Sequence, residues 1–592
     1  MVAARPASRD AAAGPLHREI RRHRHYVRAE VRQSAQRHHR ARATCVSSTG
    51  RRTASSLVRQ NGAQHLHGAL KTCRHVHGRL AGRRIGPWPS PPTGGCSVRY
   101  ENDPEGTRLP IKLDTTTNGE FAPRPLAPHS EYANALAQEQ ATRNAKRLGV
   151  SRRQFLTSST GVATTLLAFN QAHAAAGLTG GFYEIPKLAA LDGAAADATL
   201  AKGEFIFDIQ GHHVNALERW KAPNMLTAQG LKFMPQSKCG YGDPNSEYGH
   251  VKCFTSQAFV KEMFLNSDTD MAVLTFTPTS YDDMPLTQEE AEATKELTEA
   301  MEGTHRLLVH GRVVPNLPGD VERMPELAEK WKIAAWKTYT QADPKGESGW
   351  WLDDEEYGAK LIAMARKTGV KTICIHKGLP LPTPFMTKTN RRFGGCGDVG
   401  KAARQNPDIN FVIYHSGYDL QFRDKEFVPG QHELGIDSLI QSLIDNGVKP
   451  NTNVYAELGT TWRYLMRDPT EAAHALGKLF RYVGENNVLW GTDSIWYGSP
   501  QDQIQAFRTF QIAPELREKF GYPEITPTLR AKVFGLNALK PYGLNEAEIR
   551  KSFLADNMAR EKANARDRND PTFLTYGPQT RREFFALLKA EG

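Results

Sequence analysis

The chain has 592 residues, a formal net charge of +12 at pH 7 and seven cysteines. The charge is uneven: residues 1–97 carry 19 Lys and Arg against 3 Asp and Glu, which leaves a mildly acidic remainder and argues against a nucleic-acid-binding body. So few cysteines, with no zinc-type spacing among them, exclude a disulfide scaffold and a Cys-ligated zinc.

Residues 1–97 hold 9 of the 20 histidines and runs such as HREIRRHRHYVRAEV, without sustained apolar periodicity. They read as a disordered leader outside the folded product rather than as a basic arm for nucleic acid or anionic lipid. Residues 98–150 are expected to be a disordered pre-signal segment, with Val98 as a candidate start. In 151–176, Arg152 and Arg153 precede Phe155 and Leu156, a short apolar run and Ala172-His173-Ala174. This pattern resembles a twin-arginine export signal, which implies the twin-arginine translocation machinery as a partner, a periplasmic location and cleavage near Ala174. The apolar run is too short to span a bilayer, and no other stretch reaches that length, so no stable membrane insertion is expected. Cys239 and Cys253 flank a Gly/Pro/Asn-rich loop and are placed to pair in an oxidising compartment, whereas Cys374 reads as a packed thiol.

From residue 204 short apolar runs alternate with helical-period segments. The runs are EFIFDIQGHHV, MAVLTF, RLLVHGRV, KIAAWKTYT, KTICIHKG, NFVIYHSG, NVYAELGT and NVLWGTDS. Stretches such as EEAEATKELTEAMEGTH and DPTEAAHALGKLFRYVGEN between them place apolar residues three and four apart, as helices covering a parallel sheet require. This α/β pattern predicts a (β/α)8 TIM barrel over 200–515, followed by a helical C-terminal extension over 516–592.

Polar residues gather at the C-terminal ends of these strands: Gln210, His212, Lys337, His376, His415, Glu457 and Asp493. That rim is where barrels of this kind build their active sites. Strand alternation places Asp208, Gln210 and His212 on the barrel-facing side and turns His213 toward the helices. Two imidazoles, His212 and His376, with the Asp493 carboxylate offer a mixed N/O ligand set for Zn²⁺, or for Mn²⁺ if the Gln210 amide oxygen joins.

The DIQGH, ICIHKG, FVIYHSG and LWGTDS motifs resemble those of the amidohydrolase superfamily, within it the group of aminocarboxymuconate-semialdehyde and resorcylate-type decarboxylases. The likeness covers about residues 200–515 and departs from the family's D-x-H-x-H at Gln210. It implies that His212, His376 and Asp493 hold a divalent metal, with Gln210 as an auxiliary ligand. In the same reading Asp493 accepts a proton during attack, and His415, near its ordinary pKa of about 6.5, works as acid/base. Lys337 stands where two-metal members carry a carboxylated lysine; the alternative is a lysine paired with Glu457 or with a substrate carboxylate. Arg391 and Arg392, after the fifth strand, are candidates to clamp an acidic substrate.

The leading function is hydrolysis of a small carbonyl- or carboxylate-bearing substrate by a metal-activated water. Nonoxidative decarboxylation of an aromatic or unsaturated acid on the same scaffold is the alternative, and a degenerate barrel serving as a binding protein is the third. The partners implied are a small-molecule substrate and, as an open alternative, further copies of the chain. FGGCGDVG lacks the strand-turn-helix setting of a phosphate loop, and neither Ser416 nor Ser494 lies in a nucleophile elbow.

Overall fold

The computed structural model describes residues 106, 108–113, 126–215, 249–277, 284–302, 305–342, 349–379, 390–431, 434–553 and 556–566. The basic leader, Val98, Cys239 and residues 567–592 lie outside them.

The eight runs form one closed parallel barrel: β1 Phe207–Gly211, β2 Met271–Leu274, β3 Leu307–Arg312, β4 Trp336–Tyr339, β5 Thr372–His376, β6 Asn410–Tyr414, β7 Val454–Glu457 and β8 Val488–Leu489. β3 is interrupted at His310. Its first half, Leu307–Val309, pairs with β2, and its second half, Gly311–Arg312, pairs with β4. The ring closes where the Ile209 N–H donates to the Trp490 carbonyl at 3.1 Å and Gly211 bridges Ser494 in parallel. Helices follow the strands, among them Gln288–Glu302, Gly358–Thr368, Ile436–Asp445 and Pro469–Leu479. The last of these starts on Pro469 with Asp468 as its cap, accepting from the Thr470 and Glu471 amides, a start the sequence DPTE encodes directly.

Alternation divides the strands between two cores. Ile373, Ile375, Phe411, Ile413, Val454 and Ala456 pack against the helices. Phe207, Ile209, Val273, Cys374, Val412, Tyr414 and Leu489 fill the interior. Cys374 is a buried free thiol, as expected, and burial pushes it up to about 12. The floor is sealed by Leu539 and Tyr542, and the Trp490 N–H donates to Val533. The barrel therefore extends beyond the expected boundary at 515, because residues near 533–542 supply its plug.

Asp208 departs from the expected facing. The register between β1 and β2 shifts between Asp208 and Gly211. Ile209 consequently lies in the interior core next to the inward Gln210, while Asp208 accepts from the Thr492 amide and hydroxyl. A bulge places two successive residues on one side, and simple alternation cannot register it. His213 does face the helices, with its Nε2 3.0 Å from the Thr294 hydroxyl.

The segment expected to be disordered over 98–150 contains the helix Pro128–Leu148, which ends on Gly149 in the left-handed region at φ 68°. It packs on Ser159–Ala175, the apolar run of the signal-like stretch, whose Ala163, Leu166, Ala168 and Phe169 are fully buried. An amphipathic helix becomes stable once its apolar face has a partner, and that tertiary contact is absent from the local sequence. Arg152 donates to the carbonyls of Gly106 and Gln138 at 2.7 and 2.9 Å, and Arg153 is buried. No described helix is long and apolar enough to cross a membrane. Cys253 is disulfide-bonded; its expected partner, Cys239, lies outside the described residues.

Candidate active site

At the β8–β1 seam one carboxylate organises three side chains. Asp493 Oδ1 accepts from Gln210 Nε2 at 3.0 Å and lies 3.1 Å from His212 Nε2. Its Oδ2 accepts from the Thr460 hydroxyl at 2.6 Å. Burial alone would raise the Asp493 carboxyl, but His212, His415 and the Thr460 hydrogen bond together hold it down at about 2. The His212 ring is stacked on Trp496, centroids 5.3 Å apart, which fixes its plane.

At the ends of β5 and β6 two imidazoles face one another, with His415 Nε2 3.1 Å from His376 Nδ1. The outer nitrogens point at carbonyls, His376 Nε2 at Leu379 (3.3 Å) and His415 Nδ1 at Gly459 (2.7 Å). Carbonyls only accept, so each outer nitrogen carries a hydrogen, and the two inner nitrogens are left with lone pairs converging on one point. One proton between them satisfies both. Tyr339 stacks on His376 at 4.5 Å. Burial lowers His415 to about 4 and pushes His376 well below its ordinary value, although Asp493 opposes the shift at His415. His415 is therefore a neutral base at pH 7 rather than a group poised near 6.5 as expected: desolvation, which a sequence does not display, outweighs the neighbouring carboxylate.

Glu457 lies beneath both pairs. Its oxygens accept from the His415 and Gly459 amides at 3.0 and 2.6 Å, and burial raises it to about 8. A Cβ on Gly491 would stand 1.7 Å from Glu457 Oε1, so only glycine allows this approach. Lys337, on β4, places its ammonium 3.5 Å from the Tyr414 ring centroid and 4.7 Å from that of Tyr339. Arg391 pairs with the buried Asp419 at 3.2 Å, and the Arg392 guanidinium lies 4.8 Å from the Phe393 ring centroid.

The expected ligands do not arrive as a converged set. Among the described residues no group of three or more His, Cys, Asp and Glu has the spacing to hold a metal ion. Instead they form two donor groups, Gln210–Asp493–His212 and His376–His415. Their chemistry still fits a divalent cation: two imidazoles, a carboxylate held ionised, and Gln210 Oε1, which is buried without a hydrogen-bond partner. That oxygen faces Gly459, where a Cβ would lie 2.1 Å from it.

Backbone strain marks the same rim. Outside glycine, positive φ occurs in the described residues at Leu379, His415, Ser416, Asn451, Thr460 and Asp493, and all but Asn451 lie at the strand ends of the site. Thr460, Trp496, Tyr339 and Tyr414 went unnoticed in the sequence. Thr460 and Trp496 follow the flagged strand ends within three residues, which is the available signal. His310, at the break in β3, lies between the Thr275 and Tyr542 hydroxyls at 2.8 and 2.9 Å and belongs to the interior rather than the rim.

Residues 288–544 match the family described as Amidohydrolase. No curated protein matches the chain. Among solved structures, the chain is similar to 5-carboxyvanillate decarboxylase from Sphingomonas paucimobilis (14% identity, 58% of this chain and 99% of that one, TM-score 0.36). It is also similar to 2,6-dihydroxybenzoate decarboxylase from Rhizobium (11% identity, 57% and 99%, TM-score 0.35). A third is a dihydroxybenzoic acid decarboxylase from Polaromonas with bound manganese and 2-nitroresorcinol (11% identity, 58% and 99%, TM-score 0.36).

Proposed function

We propose, taking the amidohydrolase match over residues 288–544 as the premise, that the chain is a metal-dependent hydrolase acting on a small carbonyl- or carboxylate-bearing molecule. The observation that carries this reading is the pairing of an ionised Asp493, held by His212, Gln210 and Thr460, with the inward-facing His376–His415 pair on the same rim. His212, Asp493 and His376 would hold the cation, with Gln210 Oε1 in support, Zn²⁺ being the favoured ion and Mn²⁺ the alternative. Such a cation supplies Lewis-acid polarisation and a water of lowered pKa. Asp493 accepts the proton of the attacking water. His415, neutral and held at Nδ1 by the Gly459 carbonyl, receives or returns a proton through Nε2. Lys337 supplies positive charge to the interior for a substrate carboxylate, which also favours the second reading, decarboxylation of an acid. Metal analysis of purified protein tests the common premise: less than about a tenth of an ion per chain, unrestored by added Zn²⁺ or Mn²⁺, would favour a binding barrel. Carbon dioxide release from a panel of hydroxybenzoates separates decarboxylation from hydrolysis.

Export to the periplasm by the twin-arginine route belongs to the same proposal, supported by Arg152-Arg153 and the apolar helix Ser159–Ala175. Replacing both arginines by lysine should trap the chain in the cytoplasm, as fractionation would reveal.

A further inference from the structure

Upstream of the signal-like stretch, residues 108–113 lie within the body of the enzyme. Ile111 and Leu113 are fully buried and Lys112 is 6% exposed. Every polar group of Lys112 is used. Its amide donates to Asp502 Oδ2 at 3.2 Å, its carbonyl accepts from Arg463 Nη2 at 2.6 Å, and its ammonium donates to the Tyr497 carbonyl at 3.0 Å. Asp502 and Arg463 pair with each other on the same spot. A lysine is seldom buried unless paired, so this socket is specific to the segment and is not filled by unspecific packing.

Tyr497 leads from the socket to the site. Its hydroxyl lies 3.2 Å from Thr460 Oγ1. Thr460 has one hydroxyl hydrogen and gives it to Asp493 Oδ2, so Tyr497 must be the donor to Thr460. Donation into the threonine oxygen strengthens the threonine's own donation to the carboxylate. Thr460 and Asp493 both hold positive φ, at 55° and 59°, a backbone that needs external support to persist.

We infer that residues 108–113 are a retained part of the finished enzyme, and that Lys112 braces Tyr497 so that Tyr497 and Thr460 act as positioning residues for Asp493. The inference rests on the reading of Asp493 as the metal-side carboxylate. It requires that the active chain begin at or before Arg108, contrary to removal near Ala174.

Mn²⁺ titration of full-length, chelator-stripped protein, with hydrogen exchange at amides 493–498, tests it. Tyr497→Phe, which keeps the ring, should weaken Mn²⁺ about 10-fold, as loss of a residue supporting a ligand does, and Lys112→Met about 3-fold. Tyr497→Phe added to Thr460→Val should weaken it no further than Thr460→Val alone, because both act through one hydrogen-bond chain. Both Lys112→Met and Tyr497→Phe should speed exchange at 495–498. A purely structural role would lower the melting temperature and leave the Mn²⁺ affinity of the folded fraction unchanged. Wild-type affinity and exchange in both variants, or active chains starting after residue 113, would overturn the inference. If wild-type protein binds no Mn²⁺, or Asp493→Asn binds it equally well, the reading of the site fails instead, while the exchange comparison still decides whether the brace exists.

Discussion

The two ends of the barrel are built from the same eight strands and differ in almost every physical respect. The floor is regular and apolar: Phe205, Phe207, Met271 and Leu489 meet Leu539 and Tyr542. The rim carries ionised, neutral and protonated groups side by side, glycines forced by close approach, and five non-glycine residues at positive φ. Stability is concentrated where the strands begin and chemistry where they end, so substitutions at the two ends should separate folding from function.

The largest effects belong to the rim. Asp493→Asn and His376→Ala should each lower turnover by about 1,000-fold, within the range for loss of a positioned proton-transfer or ligand group, and reduce bound metal, with modest change in melting temperature. Metal content measured beside activity decides the matter: equal metal in wild type and Asp493→Asn would remove the basis of the assignment. His415→Ala should retain metal and lose turnover by about 100-fold, since its part is proton transfer. At the floor the order reverses. Phe207→Ala should cost about 3–5 kcal/mol in denaturant unfolding, as loss of a fully buried aromatic does, while activity per folded molecule is kept.

How much of this was legible in the sequence differs between the two ends in an instructive way. Strand number, order and the rim positions of His212, His376, His415 and Asp493 follow from apolar runs ending in polar residues, because a period of two and a fixed chain direction determine them. The facing of Asp208 did not follow, since a bulge is a property of the pairing between β1 and β2. The neutral state of His415 came from burial, and Glu457's raised value likewise. The helix Pro128–Leu148 was missed because its stability lies in contacts with Ser159–Ala175, outside its own residues.

A smaller effect sharpens the question of the departed motif residue. Gln210 holds Asp493 by its amide nitrogen and offers an unpartnered buried oxygen. Gln210→Ala should therefore weaken metal retention by about 10-fold, as an auxiliary ligand or a ligand's supporting neighbour would. Competition with a chelator of known affinity measures this. A loss as complete as that of Asp493→Asn would make Gln210 a principal ligand, and no loss would restrict it to orienting the carboxylate.

The smallest effect concerns Glu457 and pH. Burial raises its carboxyl from 4.5 to about 8, against the His415 and Gly459 amides and the Lys337 charge, which favour the anion. The folded state therefore binds this proton more tightly than the unfolded chain. The resulting stabilisation is complete below about 4.5 and is lost as pH rises through about 8. Asp208, raised to about 7 by burial, slopes in the same sense, but it is common to wild type and variant and cancels in their difference. Glu457→Gln places an amide NH₂ against one backbone donor, a cost that does not vary with pH. The melting temperature of chelator-treated wild type minus that of Glu457→Gln should thus decline between pH 5 and 9 by a few degrees, roughly the shift that a few kcal/mol produces in a chain of this size. Parallel curves would mean that Glu457 is ionised throughout, with its two amide donors outweighing burial, and the rim would then hold two buried carboxylates rather than one.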